Sequence, residues 1–404
     1  MPRNVTVPTS SHVNASDLGK RAHTNVRFIR PSLSPDEAPP FSGYGYETPA
    51  SLACIYRVVT PIPGCNPNST TNTPSGGSQS IAIVDAFDDP NAAADLSFFS
   101  SQFGLPYSDA NFTVVYAGGS EPQGDPTGGW ELEESLDIEY THAMAPNAHI
   151  YLVEANDNSF LNLFGAVQVA SNLVNCGQAN ACPAGSKGKG EVSMSWGGSE
   201  FPEEVSLDGL FTAPNVVYFA ASGDAPGVIY PCSSPNVVCA GGTSDSRSYF
   251  TGDLQGQISW AEAGGGASFY EPIPSYQAAN PFIASQLGGA RGVPDMSADS
   301  NPDTGMWVID TFPYEGQFTG WFIVGGTSAA TPILAGVVNA GGFFAKSTSS
   351  LLTYLYPQKG AGVGAQNFTD ITYGGCGPYA SAFSSYGWDL CTGLGTPRNL
   401  AIPK

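Results

Sequence analysis

Six short apolar runs punctuate the chain: "IAIV" at 81–84, "TVVY" at 113–116, "IYLV" at 150–153, "VSM" at 192–194, "VVYFAA" at 216–221 and "WFIV" at 321–324. They are rich in β-branched residues and nearly continuous. Each therefore predicts a strand buried on both faces, as in a parallel sheet. Helical spacing appears between them, in "SFLNLFGAVQVASNLV" at 159–174. A second helical pattern covers 128–146, where Leu132, Leu136, Tyr140 and Ala143 recur and Pro146 ends the run. Strand–helix alternation predicts an α/β fold with its sites at the carboxyl ends of strands. Gly- and Asp-rich turns fall there: "VDAFDD", "SWGG" at 195–198, "ASGD" at 221–224 and "GGTS" at 325–328. Residues 1–46 carry neither period. Rich in Ser, Thr, Pro and Asn, they read as a linker or tail, leaving 47–404 as one large domain.

Composition narrows the setting. Formal net charge is -21, with 14 Lys and Arg against 35 Asp and Glu. Such a chain repels nucleic acid and anionic membranes, so neither is an expected partner. No apolar run is long enough to span a bilayer. Eight cysteines fall as near neighbours, Cys54/Cys65, Cys176/Cys182, Cys232/Cys239 and Cys376/Cys391, and none makes a CxxC pair. That pattern reads as disulfides and an oxidising compartment, although spacing alone does not fix the pairing. Sequons at Asn4, Asn14, Asn68, Asn111 and Asn367 point the same way, towards a secreted, extracellular glycoprotein. The N-terminus lacks an apolar leader, so the chain reads as a processed form with an added Met1, without its propeptide. A monomer is expected.

The candidate chemistry lies in carboxylates. Glu133 and Asp137 stand four apart, one turn apart on one helix face. A solvated acidic helix would account for them, given Glu131, Glu134 and Glu139 nearby. Two such carboxylates can instead share a proton and act as acid and base at low pH. Glu134 with Asp137 is a rival register. Ser328 sits in "GGTSAATP" at 325–332, a context suited to a nucleophile. A serine hydroxyl needs a base, usually histidine. None of His12, His23, His142 and His149 stands in a His-Gly-Thr context. Asp224, in "ASGDAPG", could serve an oxyanion only when protonated.

These motifs, in this order, resemble the sedolisin family, the serine-carboxyl peptidases. The resemblance spans about 48–404. It includes "IAIVDAFDDPNAAADLSFFSSQFGLP" at 81–106, "EESLDIEYTHAMAPNAHI" at 133–150, "SMSWGG" at 193–198 and "ASGDAPG" at 221–227. "GGGASFYEPIPSYQ", "VPDMSADSNPDTG", "GGTSAATP" and "GWDLCTGLGTP" follow. The resemblance implies a subtilisin-like fold: a mostly parallel central sheet flanked by helices, with a C-terminal calcium-binding region. It implies Ser328 as nucleophile, Glu133 as base, Asp137 supporting Glu133, and Asp224 as oxyanion donor beside the Ser328 N–H. It implies that Ser195, Trp196 and Gly197 bind the substrate strand, although Trp196 also suits a core position. It implies one structural Ca2+ held by Asp370 and Asp389 and by carbonyls of Ile371, Ser385 and Gly387. Ser385 replaces the glycine usual in that motif. Protein or peptide substrates are expected, cut in acid by endopeptidase or tripeptidyl-peptidase action. A chain lacking one of the four catalytic residues would be an inactive binding homologue, and all four are present.

Overall fold

The computed structural model describes residues 4–31, 39, 45–177, 182, 187–356, 367–377, 382–398 and 400. Its centre is an eight-strand sheet, seven strands of which follow one another in a single path. From edge to edge it runs Leu254–Ser259, Val238–Arg247, Val216–Ala221, Gly190–Met194, Ser80–Ala86, His149–Ala155 and Phe112–Tyr116. All neighbours are parallel except Leu254–Ser259. Met296–Asp299 adds a further parallel strand beside Val238–Arg247. Five of the six apolar runs lie in this sheet, and alternate residues feed opposite faces. Ile81 and Ile83 enter one apolar cluster, Ala82 and Val84 the other.

Helices cover both faces. Phe160–Val174, capped by the Ser159 side chain, packs on one. Gly129–Met144 and Thr327–Ala340 pack on the other and against each other. Their closest approach uses Gly336, where a Cβ would meet Met144 Cβ at 2.7 Å and the Thr141 carbonyl at 3.0 Å. The Asp125 carboxylate starts Gly129–Met144 by accepting from the N–H groups of Gly129 and Trp130. Four disulfides join the neighbouring cysteines, with Cα–Cα separations of 4.7 to 5.5 Å.

Two expectations need correction. The run at 321–324 belongs to Phe318–Gly325, in a separate antiparallel sheet ordered Val5–Thr6, Arg27–Ile29, Phe318–Gly325, Met306–Tyr314. Its residues are buried because the first part of the chain covers them, not because the sheet is parallel. The reading of 1–46 as a linker or tail therefore fails for residues 4–31. Val26 and Phe28 are wholly buried, and Phe28 meets Tyr314 and Phe322 edge-on at 4.9 and 5.3 Å. His23–Thr24 pairs antiparallel with Trp196–Ser199, opposite Gly197 and Trp196. Strands of two or three residues between polar ones are too short to give a readable period.

Candidate active site

Ser328 is the second residue of Thr327–Ala340, just after the tight Gly325–Gly326 turn. It is buried. Its hydroxyl donates to the Ser195 carbonyl at 2.9 Å and accepts from the Asn25 N–H at 3.0 Å. Its own N–H donates to the Asn25 carbonyl at 3.0 Å. Pro332 lacks the N–H that would complete the helix at the Ser328 carbonyl. The Ser195 hydroxyl donates there instead, at 3.2 Å.

The same Ser195 hydroxyl reaches Asp137 Oδ1 at 2.8 Å. Ser195 thus bridges the Ser328 helix and the acidic helix. All sixteen residues of Gly129–Met144 are buried, five of them carboxylic acids. This excludes the solvated-helix reading. Burial pushes Glu133 well above the usual carboxylate range, and the charges of Asp137 and then Asp85 add to it. Ser328 lies close enough to favour the ionised form of Glu133. Its hydroxyl is nevertheless turned to Ser195, and neither Glu133 oxygen accepts a hydrogen bond of good geometry. Burial raises Asp137 in the same way, and the Ser195 hydrogen bond opposes it. Glu134 faces other neighbours: Glu154, Asp89, Asp85 and Glu131. The structure therefore brings Glu133, not Glu134, to Ser328.

Asp224 follows the strand Val216–Ala221. Its Oδ1 accepts from the Thr327 N–H at 2.8 Å and the Thr327 hydroxyl at 3.0 Å. Burial pushes its pKa up to about 7 against those bonds and the Arg27 charge. Gly326 shows how tightly the parts meet. A Cβ there would lie 2.0 Å from the Asn25 carbonyl oxygen and 2.8 Å from Asp224 Oδ2. That oxygen and the Asp224 carboxyl thus crowd the same point, which only glycine, here at φ 101°, leaves open.

Of the substrate-strand candidates, Ser195 binds Asp137 rather than facing free solvent. The Trp196 side chain is core, its indole N–H donating to the Val84 carbonyl at 2.6 Å. What Trp196 and Gly197 present to the cleft is backbone, already paired with Thr24 and His23. Sequence reasoning missed Asn25 and Arg27, which lay in a segment read as a tail. It also missed Asp85, whose two oxygens are buried without partners beside Asp137. The signal for Asp85 was its place at the carboxyl end of the first sheet strand.

The calcium candidates meet as two loops. Asp370 Oδ2 accepts from the Gly387 N–H, and Asp389 Oδ2 from the Ser385 N–H. Two carboxylates with carbonyl oxygens form the hard donor set that suits calcium. Among the described residues no group of three His, Cys, Asp or Glu could hold a metal. Any such ion would therefore draw most of its ligands from backbone carbonyls.

The sheet order, the flanking helices and the serine at a helix start define a subtilisin-like α/β protein. The solved structure of Pseudomonas sedolisin, a serine-carboxyl proteinase, shares this fold with a TM-score of 0.66 at 22% identity, over 87% of this chain and 95% of that one. Kumamolisin from Bacillus sp. (strain MN-32) is 30% identical over 361 residues, 81% of this chain and 60% of the relative. A tripeptidyl-peptidase from Arthroderma otae is 27% identical over 77% of this chain and 58% of its own length. The chain thus spans about six-tenths of the curated relatives it matches. No family model matches it. In sequence the chain is similar to kumamolisin and sedolisin, and in fold to sedolisin.

Proposed function

We propose that the chain is an acid-acting serine-carboxyl peptidase, with Ser328 as nucleophile and Glu133 as its base. The observation that carries this is the Asn25 carbonyl, which accepts from the Ser328 N–H while the Ser328 hydroxyl touches the same residue. A peptide carbonyl thus stands where an acyl-transfer reaction would hold its oxyanion. On rotation, the hydroxyl leaves the Ser195 carbonyl and gives its proton to the ionised form of Glu133, the form that the nearby Ser328 hydroxyl favours against burial. Asp137, held by Ser195, steadies the proton that Glu133 gains and later returns to the leaving amine. Protonated Asp224 donates to the oxyanion beside the Ser328 N–H. A carboxyl with its pKa at about 7 is protonated in acid, which ties activity to low pH.

The path of residues 20–29 supports internal cleavage. The chain continues before His23, where the Phe160 N–H donates to the Lys20 carbonyl and the Ala22 N–H to the Asn158 carbonyl. A strict tripeptidyl-peptidase needs a free amine three residues before the cut bond. This cleft admits a longer chain. Secretion agrees with the four disulfides. Among the described residues no helix is long and apolar enough to cross a membrane. Ca2+ would be held by Asp370 and Asp389 with the carbonyls of Ile371, Ser385 and Gly387, tying the two loops together.

The test is digestion of an unblocked peptide at about pH 4, read by mass spectrometry. Scattered internal cuts that disappear in Ser328→Ala are expected. A tripeptide ladder would overturn the endopeptidase reading, and no cutting at all would overturn the enzyme.

A further inference from the structure

The Asn25 carbonyl at the Ser328 N–H sets a register for the cleft. Counting from it, His23, Thr24 and Asn25 precede the bond that Ser328 faces, and Val26 and Arg27 follow. Backbone pairing holds both sides: His23–Thr24 against Trp196–Ser199, and Arg27 opposite Gly325. The second position beyond that bond is therefore occupied by Arg27.

Its surroundings are made for a cation. The guanidinium donates to the Asp224 backbone carbonyl at 2.6 Å. It forms ion pairs with Glu262 and, at 3.5 Å, with Asp224 Oδ2. It lies 5.4 Å from the centre of the Trp260 ring, within cation–π range. The Arg27 side chain is only 19% exposed, whereas Glu262 remains 52% exposed at the rim. Trp260 and Glu262 belong to the body of the protein, outside residues 23–29, and the backbone around them is tied to that body. The Trp260 N–H is fixed to the Gly242 carbonyl and the Ala263 N–H to the Trp260 carbonyl.

We propose that Trp260, Glu262 and the Asp224 carbonyl form a subsite for a basic side chain two residues beyond the cleaved bond, with Arg27 as its built-in occupant. The proposal rests on the peptidase reading. It names a substrate class: extended peptides carrying Arg or Lys at that position. Arg makes the fork of bonds seen here, while Lys offers a single charge, so Arg should be preferred.

The experiment uses the full chain and a complex peptide library in acid, with cut sites read by mass spectrometry. Arg and Lys should be enriched at the second position after the cut by roughly three- to tenfold, as expected for one partly exposed ion pair with a cation–π contact. Glu262→Gln should remove most of that enrichment while cutting continues. Glu262 is half-exposed, so this variant should keep its fold, and an unchanged Tm checks that. Cutting without enrichment, or enrichment that survives Glu262→Gln, overturns the subsite alone. No cutting by the wild-type chain overturns the subsite and the peptidase reading together.

Discussion

Asp389 and Glu133 are both buried acids, and the protein treats them in opposite ways. The Asp389 carboxylate accepts from the N–H groups of Ser385, Cys391 and Thr392 and from the Thr392 hydroxyl. Its charge is spread over a turn that closes on it. Glu133 sits in a helix whose own N–H groups are spent on backbone bonds, and neither of its oxygens accepts a good hydrogen bond. The difference is instructive because burial alone does not mark function. A buried acid with its bonds made organises a loop. A buried acid without them resists ionisation, so its carboxylate form, once present, binds a proton strongly, which is the property asked of the base in the proposed mechanism.

The sharpest way to break this comparison is to remove the acid from each helix position. Glu133→Gln should lower kcat by about 10²–10⁴, the usual worth of a positioned general base. Glu134→Gln, one residue along, should change it little. The reverse ranking in a peptide-cleavage assay would show that the wrong acid had been paired with Ser328. Next in size, Asp224→Ala should cost roughly 10²–10³ in kcat. Asp224→Asn, a donor at any pH, should retain more activity and hold it further into neutral pH. A wild-type rate and pH profile in Asp224→Ala would reduce Asp224 to a turn residue.

Stability sharpens the contrast further. Burial raises Asp89 to about 7, Glu131 to about 8 and Glu154 to about 9. Folded pKa values above the unfolded ones, near about 4, mean that the folded state binds more protons. Their stabilisation is complete below about pH 4 and is lost as pH rises through about 7–9. Tm should therefore be highest in acid and fall across neutrality, and Glu131→Gln should soften that fall. A Tm that rises towards pH 8 would contradict protonated buried acids. Smallest, Asp389→Ala should cost about 1–3 kcal/mol by leaving buried N–H groups unpaired, read as a lower Tm. A further drop on adding EDTA would support calcium at these loops, since a ligand of the folded state alone stabilises it. Identical melts would leave a capped loop.

Much of this was legible in the sequence because the central strands are buried on both faces and announce themselves as apolar runs. Gly129–Met144 was legible as a helix through Leu132, Leu136, Tyr140 and Ala143. Its total burial was not, because five acids in sixteen residues are what a solvated helix also looks like. Spacing alone left Glu133 and Glu134 open, and only the packing of the helix against Ser328 separated them. The disulfide partners followed sequence proximity. Asn25 and Arg27 were invisible because their order comes from pairing with Trp196–Ser199 and Phe318–Gly325, both distant in sequence. A two-residue strand has no pattern of its own. The same blindness made "WFIV" look like part of the parallel sheet.

Two bare strand edges flank Ser328 once residues 23–29 are set aside: Trp196–Ser199 on one side and Phe318–Gly325 on the other. An edge recognises backbone, and backbone is common to every sequence. Most of the grip on a substrate would come from this ladder, available only to a segment that can lie fully extended across both edges. At about 3.3 Å per residue, the five positions from His23 to Arg27 demand some 17 Å of stretched chain. A helix or closed hairpin in a folded target cannot supply that without unravelling. The practical limit on what this cleft can cut would then be set by the target's own unfolding. Acid, which loosens many proteins, would prepare the substrate in the same step that protonates Asp224.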